Sequence, residues 1–256
     1  MSILDTQLQM QQWLGSPQGQ YLTQKEQAYF DAVVVDIFGF HALQLGMEQC
    51  DLLRASRIPL RLSVGLNDGV DLCADYGELP FDSNSIDLIL MPHTLEFSDH
   101  PHQVMREVSR VLRPDGQVVI AGFNPMSLWG VRRSIGTHTS YPWNGQFIQL
   151  PRVKDWLELV GLEINAGSMA CYIPPCSQQK WIDRLQWMEM AGDRWWPIAG
   201  GVFFLRAIKR VRSMRLIMPK WRAQRVAKKN LAAVSERVHD DQRGQVGINS
   251  SQRIDV

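Results

Sequence analysis

Residues 70–123 alternate between strand-like and helix-like patterns, and this alternation restricts the chain to a parallel α/β fold. The nearly continuous apolar run 86–91 predicts a strand that is buried on both faces. From Pro101 to Leu112 the apolar residues recur at helical spacing, and 117–123 then resumes as a strand. A strand, a helix and a second strand in this order form a right-handed βαβ unit, in which the two strands are parallel.

The preceding segments extend this pattern toward the N-terminus. We expect a first strand at 41–46, a helix at 48–58, a second strand at 59–66 and a third at 70–75. The apolar run 33–39 is stronger than that at 41–46, but it would leave no room for a helix before the next strand. The sequence therefore favours a first strand that ends at Gly46.

Four motifs link these strands in a recognisable order. They are Ala74-Asp75, Leu79-Pro80-Phe81-Asp82, Ser85-Ile86-Asp87-Leu88-Ile89 and Glu107-Val108-Ser109-Arg110-Val111-Leu112-Arg113-Pro114-Asp115-Gly116. Their order and spacing resemble the class I S-adenosylmethionine-dependent methyltransferases, especially the small-molecule, methyltransferase type 11-like branch. The resemblance implies a doubly wound, seven-stranded, mostly parallel Rossmann-like sheet over 1–208. A helix at 21–30 would form a lid, and 200–207 would be an antiparallel seventh strand.

The loops after the first four strands are expected to bind the cofactor, because ligands of doubly wound sheets lie outside the carboxyl ends of the strands. The resemblance implies that S-adenosylmethionine contacts Gly46, Asn67, Asp68, Asp75, Tyr76, Met91 and Pro92. Gly46 would let the cofactor approach the backbone, and Asn67 and Asp68 would accept hydrogen bonds from the ribose. Asp75 would accept a hydrogen bond from the adenine amino group, and Tyr76 would pack on the ring.

The glycine-rich motif of the family is incomplete in this chain. Gly46-Met47-Glu48-Gln49-Cys50 stands where the family has G-x-G-x-G, and Asn67 replaces the family's acid. A neutral amide accepts hydrogen bonds less strongly than a carboxylate does. A catalytically inactive methyltransferase-fold binding protein is therefore an alternative to an enzyme.

The predicted activity is transfer of a methyl group to a small-molecule acceptor. His93, beside the expected sulfonium, is the candidate general base, and His138 is a second candidate. The base is optional, because in-line positioning of the acceptor supplies much of the acceleration. A tryptophan-rich helix at 180–196 is expected to cover the sheet; alternatively, Trp129, Trp143, Trp187 and Trp195 would roof a site for an apolar acceptor. Histidines at zinc spacing are lacking, so no metal is predicted.

Charge is distributed unevenly along the chain. The net charge is +1, yet 206–229 contains ten Lys or Arg residues and no acid. This predicts a basic helical extension at 209–235 and a disordered tail at 236–256. The extension is either a solvated helix pair or a weak contact through 209–229 with nucleic acid or an anionic membrane surface. A nucleic-acid methyltransferase recruited by this segment is the remaining alternative.

The cysteines and the apolar runs bear on the compartment. The four cysteines lack paired spacing, which favours a reducing, cytoplasmic environment. The N-terminus lacks the basic and apolar regions of a signal peptide, and the longest apolar run, 195–205, is too short to cross a bilayer. The sequence therefore predicts a cytoplasmic protein without a transmembrane segment.

Overall fold

The computed structural model describes residues 3–66, 69–136 and 140–210. Its strands are β1 (His41–Leu45), β2 (Leu60–Gly65), β3 (Leu72–Cys73), β4 (Ile86–Pro92), β5 (Leu112–Phe123), β6 (Leu162–Ala170) and β7 (Val202–Lys209). Its helices are α1 (Ile3–Leu14), α2 (Pro17–Val34), α3 (Pro101–Val111), α4 (Leu128–Ile135), α5 (Leu150–Leu159), α6 (Gln179–Arg184) and α7 (Trp187–Trp195). Apart from 209 and 210, the predicted extension and tail lie outside the described residues.

The seven strands form one sheet in the order β3-β2-β1-β4-β5-β7-β6. Strands β1 to β5 pair in parallel, and β7 inserts antiparallel between β5 and β6. The doubly wound, seven-stranded fold predicted from the sequence is confirmed. The α2 helix ends at Val34, which also confirms that the first strand is the later of the two candidate segments.

Helices cover the sheet on both faces, and this explains why the sequence of β4 is almost continuously apolar. Leu88 and Leu90 pack in the core beneath α2, whereas Ile89 and Met91 pack on the opposite face with α3 and α5. Successive side chains of a strand point to opposite faces, so burial on both sides favours apolar residues at consecutive positions, as at 88–91. On the α2 side, Phe30 contacts Phe204 of β7 edge to face.

Several predicted elements differ from the structure. Residues 48–58 form turns instead of a helix, and the third strand contains only Leu72 and Cys73 at the sheet edge. The tryptophan-rich segment is divided into α6 and α7. Within the described residues, no helix is both long and apolar enough to span a membrane.

Candidate functional site

A cavity of about 320 Å³ opens at the carboxyl ends of β1 to β4. The strand order reverses between β1 and β4, so the cavity lies at the switch point of the sheet. Its walls come from the loops after these four strands, from α1, from the start of α3 and from the 140–145 loop. The lining residues are Met10, Gly46, Met47, Glu48, Leu66, Asp75, Tyr76, Gly77, Pro92, His93, Thr94, Phe97, Ser98, Asp99, His100, Gln103, Val104 and Tyr141.

The loop after β1 is organised by the buried amide of Gln44. The Gln44 Nε2 lies 3.1 Å from the carbonyl oxygens of Gly46 and Met47 and 2.7 Å from that of Cys50. Its Oε1 accepts a hydrogen bond of 2.9 Å from the Leu52 N–H. These contacts satisfy backbone groups of the turns that stand where the sequence predicted a helix at 48–58.

Position 46 needs glycine because of its backbone conformation, more than because a side chain would lack space. Its φ is +89°, in the region that disfavours residues with a side chain. A β-carbon at this position would meet Pro92, Thr94 and Tyr76 only at ordinary contact distances of 3.4–3.8 Å. The following Met47 also has a positive φ, of 47°, and it is buried. The chain thus turns sharply into the cavity after β1.

Glu48 brings a carboxylate to the end of β2, and the sequence did not identify it as a site residue. Gly65 ends β2, and a β-carbon there would lie 2.1 Å from the Glu48 Oε1. Gly65 therefore leaves room for this carboxylate, which lines the cavity. Glu48 stands at the position of a missing motif glycine. An acid in a loop at the carboxyl end of a parallel strand is the signal that could have revealed it.

The structure brings four of the sequence-predicted cofactor residues to the cavity: Gly46, Asp75, Tyr76 and Pro92. Asp75 is exposed, and its Oδ1 accepts a hydrogen bond of 2.7 Å from the Gly77 N–H. Burial raises the pKa of Tyr76, and the carboxylates of Glu48 and Asp75 raise it further, so its hydroxyl stays protonated.

The remaining predicted site residues, apart from His93, are not found among the described residues that line the cavity. Met91 is fully buried in the core on the α3 side of the sheet and does not line the cavity. Asn67, Asp68 and His138 lie outside the described residues.

His93, the candidate base, lies in a buried cluster with two carboxylates. Its Nε2 is 2.5 Å from Glu26 Oε1 of α2, and its Nδ1 is 2.8 Å from Glu96 Oε2. The ring is 2% exposed and stacks on Phe123 at 4.0 Å between centroids. Burial lowers the pKa of His93, but the two carboxylates outweigh it and raise the pKa from 6.5 to about 10. His93 is therefore an imidazolium with both nitrogens engaged.

The two carboxylates of this cluster, Glu96 and Glu26, differ in their other contacts. Burial raises the pKa of Glu96, and the contacts with His93 and the Phe123 N–H oppose this shift only in part. Glu26 is fully buried, and its Oε2 has no hydrogen-bond partner among the described residues. The same holds for the hydroxyl of Tyr141, which lines the cavity. Burial raises the pKa of that hydroxyl, so it stays protonated and can donate a hydrogen bond.

The four tryptophans do not come together over the cavity, so the predicted tryptophan roof is wrong. Trp129 and Trp143 are core residues, 1% and 8% exposed, whereas Trp187 and Trp195 are 58% and 71% exposed. Among the described residues, no group of three His, Cys, Asp or Glu side chains is arranged to hold a metal ion.

Comparison with known proteins agrees with this geometry. The family model described as a methyltransferase domain matches residues 15–120. The uncharacterized protein YafS of Escherichia coli strain K12 is 31% identical over 165 residues, which span 63% of this chain and 69% of YafS. The mitochondrial 2-methoxy-6-polyprenyl-1,4-benzoquinol methylase of Caenorhabditis elegans is 39% identical over 56 residues, only 22% of this chain and 20% of that protein.

The solved structures show the same fold at low sequence identity. An S-adenosylmethionine-dependent methyltransferase of Thermotoga maritima superposes with a TM-score of 0.57 at 17% identity, over 74% of this chain and 93% of that one. The strand order, the cavity at the switch point and the relatives lead to one conclusion. This chain belongs to the class I S-adenosylmethionine-dependent methyltransferase family.

Proposed function

We propose that this protein binds S-adenosylmethionine in the cavity at the switch point and transfers its methyl group to a small-molecule acceptor. The observation that carries the proposal is the Glu48 carboxylate over Gly65, which supplies an acid to the cavity at the end of β2. This acid offsets the loss expected from the incomplete glycine motif. The catalytically inactive alternative rested on that incomplete motif, so it is weakened.

The lining residues fit this cofactor. A cavity of about 320 Å³ lies at the lower end of the range for small-molecule sites. Glu48 would accept hydrogen bonds from the ribose hydroxyls, and Asp75 would accept one from the adenine amino group. Tyr76 would pack against the adenine, and Gly46 would leave the backbone open to the methionine portion. When bound, S-adenosylmethionine supplies a methyl group already activated on its sulfonium.

For His93 we propose a positioning role in place of the general base expected from the sequence. An imidazolium that donates to two carboxylates has no lone pair with which to accept a proton from an acceptor. The cluster instead ties α2, through Glu26, to the end of β4 and, through Glu96, to Phe123 at the end of β5. The end of β4 lines the cavity through Pro92 and His93, so the cluster would hold this part of the wall in place during methyl transfer.

The proposed acceptor is a small molecule because the cavity is small and partly apolar. Met10, Phe97 and Tyr141 line it on the side toward α1 and the 140–145 loop. A cavity of this size with apolar side chains in its wall suits a compact ligand better than a nucleic-acid strand. The acceptors named for the relatives are not assigned to this protein, because the matches cover less than half of this chain.

All four cysteines are free thiols, which supports a cytoplasmic location.

The first experiment is calorimetric titration with S-adenosylmethionine and S-adenosylhomocysteine. Wild type is compared with Glu48→Gln, which keeps the side-chain size but removes the charge, and with Glu78→Gln, which alters an exposed acid outside the cavity. A hydrogen bond to a charged group contributes about 1.5–3 kcal/mol, so Glu48→Gln should weaken binding roughly tenfold to hundredfold. Glu78→Gln should bind as wild type does.

One outcome would refute the proposal, and another would refute the role of Glu48. Absence of binding by folded wild-type protein would exclude the enzyme and leave the inactive binding protein. Equal affinity of wild type and Glu48→Gln would refute the role of Glu48 alone.

The acceptor class is tested with methyl-labelled cofactor and a fractionated cell extract. Label in the small-molecule fraction supports the proposal, and label in nucleic acid would instead favour the methyltransferase recruited by the basic segment.

A further inference from the structure

Large apolar side chains are exposed on α6, on α7 and on the residues that follow. These residues, called here the tryptophan face, are Trp181, Trp187, Met190, Trp195, Trp196 and Ile198, with exposed fractions of 49–78%. Four of the nine tryptophans of the chain belong to it. Monomeric proteins rarely leave so many large apolar side chains in water without an interaction to cover them.

The orientation of α7 shows that this exposure is built into the helix. Trp187 and Met190 lie three residues apart and share its outer side. The opposite side faces the protein, because a β-carbon on Gly192 would meet the Tyr172 ring at 2.3 Å. Glu189 also points inward, where it pairs with Lys25 at 3.5 Å and accepts a hydrogen bond from the Tyr172 N–H. The helix therefore turns an acid toward the protein and its largest apolar side chains toward solvent.

Positive charge accompanies the tryptophan face. Lys180, Arg184 and Arg194 are exposed on the same two helices and outnumber the exposed acid of α6, Asp183. The Arg184 guanidinium lies 5.9 Å from the centre of the Trp181 ring. Tryptophan is enriched at the boundary between lipid headgroups and acyl chains, and Lys and Arg are attracted to anionic headgroups.

We infer that the tryptophan face binds the surface of an anionic lipid bilayer. The apolar rings would enter the headgroup boundary while Arg and Lys contact lipid phosphates, as in other peripheral proteins. The described helices are too short or too polar to cross the bilayer, so the protein would lie on the surface. A second copy of the chain is a poorer occupant, because a symmetric contact would bring the same basic residues of both copies together.

The test is co-sedimentation of the full chain with vesicles. Vesicles of phosphatidylcholine mixed with phosphatidylglycerol are compared with vesicles of phosphatidylcholine alone, at low and high salt. We expect binding to the anionic vesicles that weakens with salt, since each Lys or Arg near an anionic surface contributes roughly fivefold in partitioning. The Trp187→Ser/Trp195→Ser variant should bind roughly tenfold to hundredfold more weakly, because two large apolar side chains no longer enter the boundary.

The control is Phe38→Ser/Phe40→Ser, which removes two aromatic side chains that are 70% and 66% exposed elsewhere on the chain. This variant should bind vesicles as wild type does. Both variants should keep the wild-type urea midpoint, which separates lost binding from lost folding. The cofactor titration is a separate readout, so failure of vesicle binding would not be confused with failure of the proposed enzymatic function.

Three results would overturn the inference. The first is no sedimentation of wild type with anionic vesicles. The second is unchanged binding by Trp187→Ser/Trp195→Ser, which would assign any membrane contact to the basic segment 206–229 alone. The third is a wild-type dimer that this variant converts to a monomer, which would identify the tryptophan face as a contact between two copies of the chain.

Discussion

Replacing Glu26 with glutamine would test the buried cluster most directly. Glu26 is fully buried on α2, and its carboxylate lies 2.5 Å from the His93 ring. Glutamine preserves the shape but leaves the imidazolium with Glu96 as its single anionic contact in the cluster. Removing one partner of a buried ion pair costs about 3–5 kcal/mol, because the remaining charge is poorly compensated.

The pH dependence of stability gives a second magnitude, the contribution of His93 protonation to the free energy of unfolding. The pKa of His93 rises from 6.5 to about 10 on folding, so protonation of the ring stabilises the fold. This contribution is fully present below the unfolded pKa of 6.5 and is lost as the pH rises through about 10. At 1.36 kcal/mol per pKa unit it amounts to about 5 kcal/mol at pH 6, about 3 kcal/mol at pH 8 and under about 1 kcal/mol at pH 10. Without Glu26, only Glu96 opposes the effect of burial, so the pKa of His93 should fall and this dependence should weaken.

The assay is urea unfolding of wild type and Glu26→Gln at pH 6, 8 and 10. Tyrosines with raised pKa values, such as Tyr29, also affect stability at high pH, so the quantity compared is the difference between the two proteins at each pH. That difference should be largest at pH 6 and should shrink toward pH 10.

Asp31→Asn is the control, because it removes an exposed ion pair with Arg54, worth at most about 1 kcal/mol. The reasoning fails if Glu26→Gln costs no more than Asp31→Asn, or if its difference from wild type does not change with pH.

Three further predictions concern the edge of the cavity and the neighbouring strand. Gly46→Ala places a β-carbon at a φ of +89° and should cost about 1–2 kcal/mol and weaken cofactor binding; unchanged urea midpoint and calorimetric affinity would contradict this. Gln44→Leu removes the partner of several buried backbone groups and should lower the free energy of unfolding by about 3 kcal/mol or more, and a loss below about 1 kcal/mol would argue against its organising role. Hydrogen bonds from the Ser63 backbone and hydroxyl lower the pKa of Asp71, so its contribution is fully present above the unfolded pKa of 3.8 and is lost progressively as the pH falls through the lower folded pKa. Wild type should therefore lose stability relative to Asp71→Asn in acid unfolding between pH 5 and pH 3.

The sequence determined the elements whose side chains repeat with a simple period. The run at β4, the helical spacing in α3 and the strand at 117–123 were predicted because burial on one or both faces leaves a local pattern. The chain order of these elements, together with the motifs between 74 and 116, was enough to predict the sheet. It also placed Gly46, Asp75, Tyr76 and Pro92 at one edge, since parallel strands end together.

Only the tertiary structure decided how polar side chains pair. The sequence predicted a helix at 48–58, but this segment forms turns whose backbone groups bond to the Gln44 amide. Likewise, the Glu48 carboxylate became visible as a site feature only when Gly65 came to lie beneath it. Such pairings leave no period in the sequence, because a hydrogen bond requires one partner at one distance and not a repeated face.

The same reason explains His93 and the tryptophans. His93 contacts Glu26, which is 67 positions away, and that contact turns a candidate base into a buried cation. Trp129 and Trp187 are equally apolar, yet one lies in the core and the other faces solvent. The sequence thus determined which strands and helices form and their order. Folding decided which charges are buried together and which apolar side chains remain exposed, because both depend on contacts between distant parts of the chain.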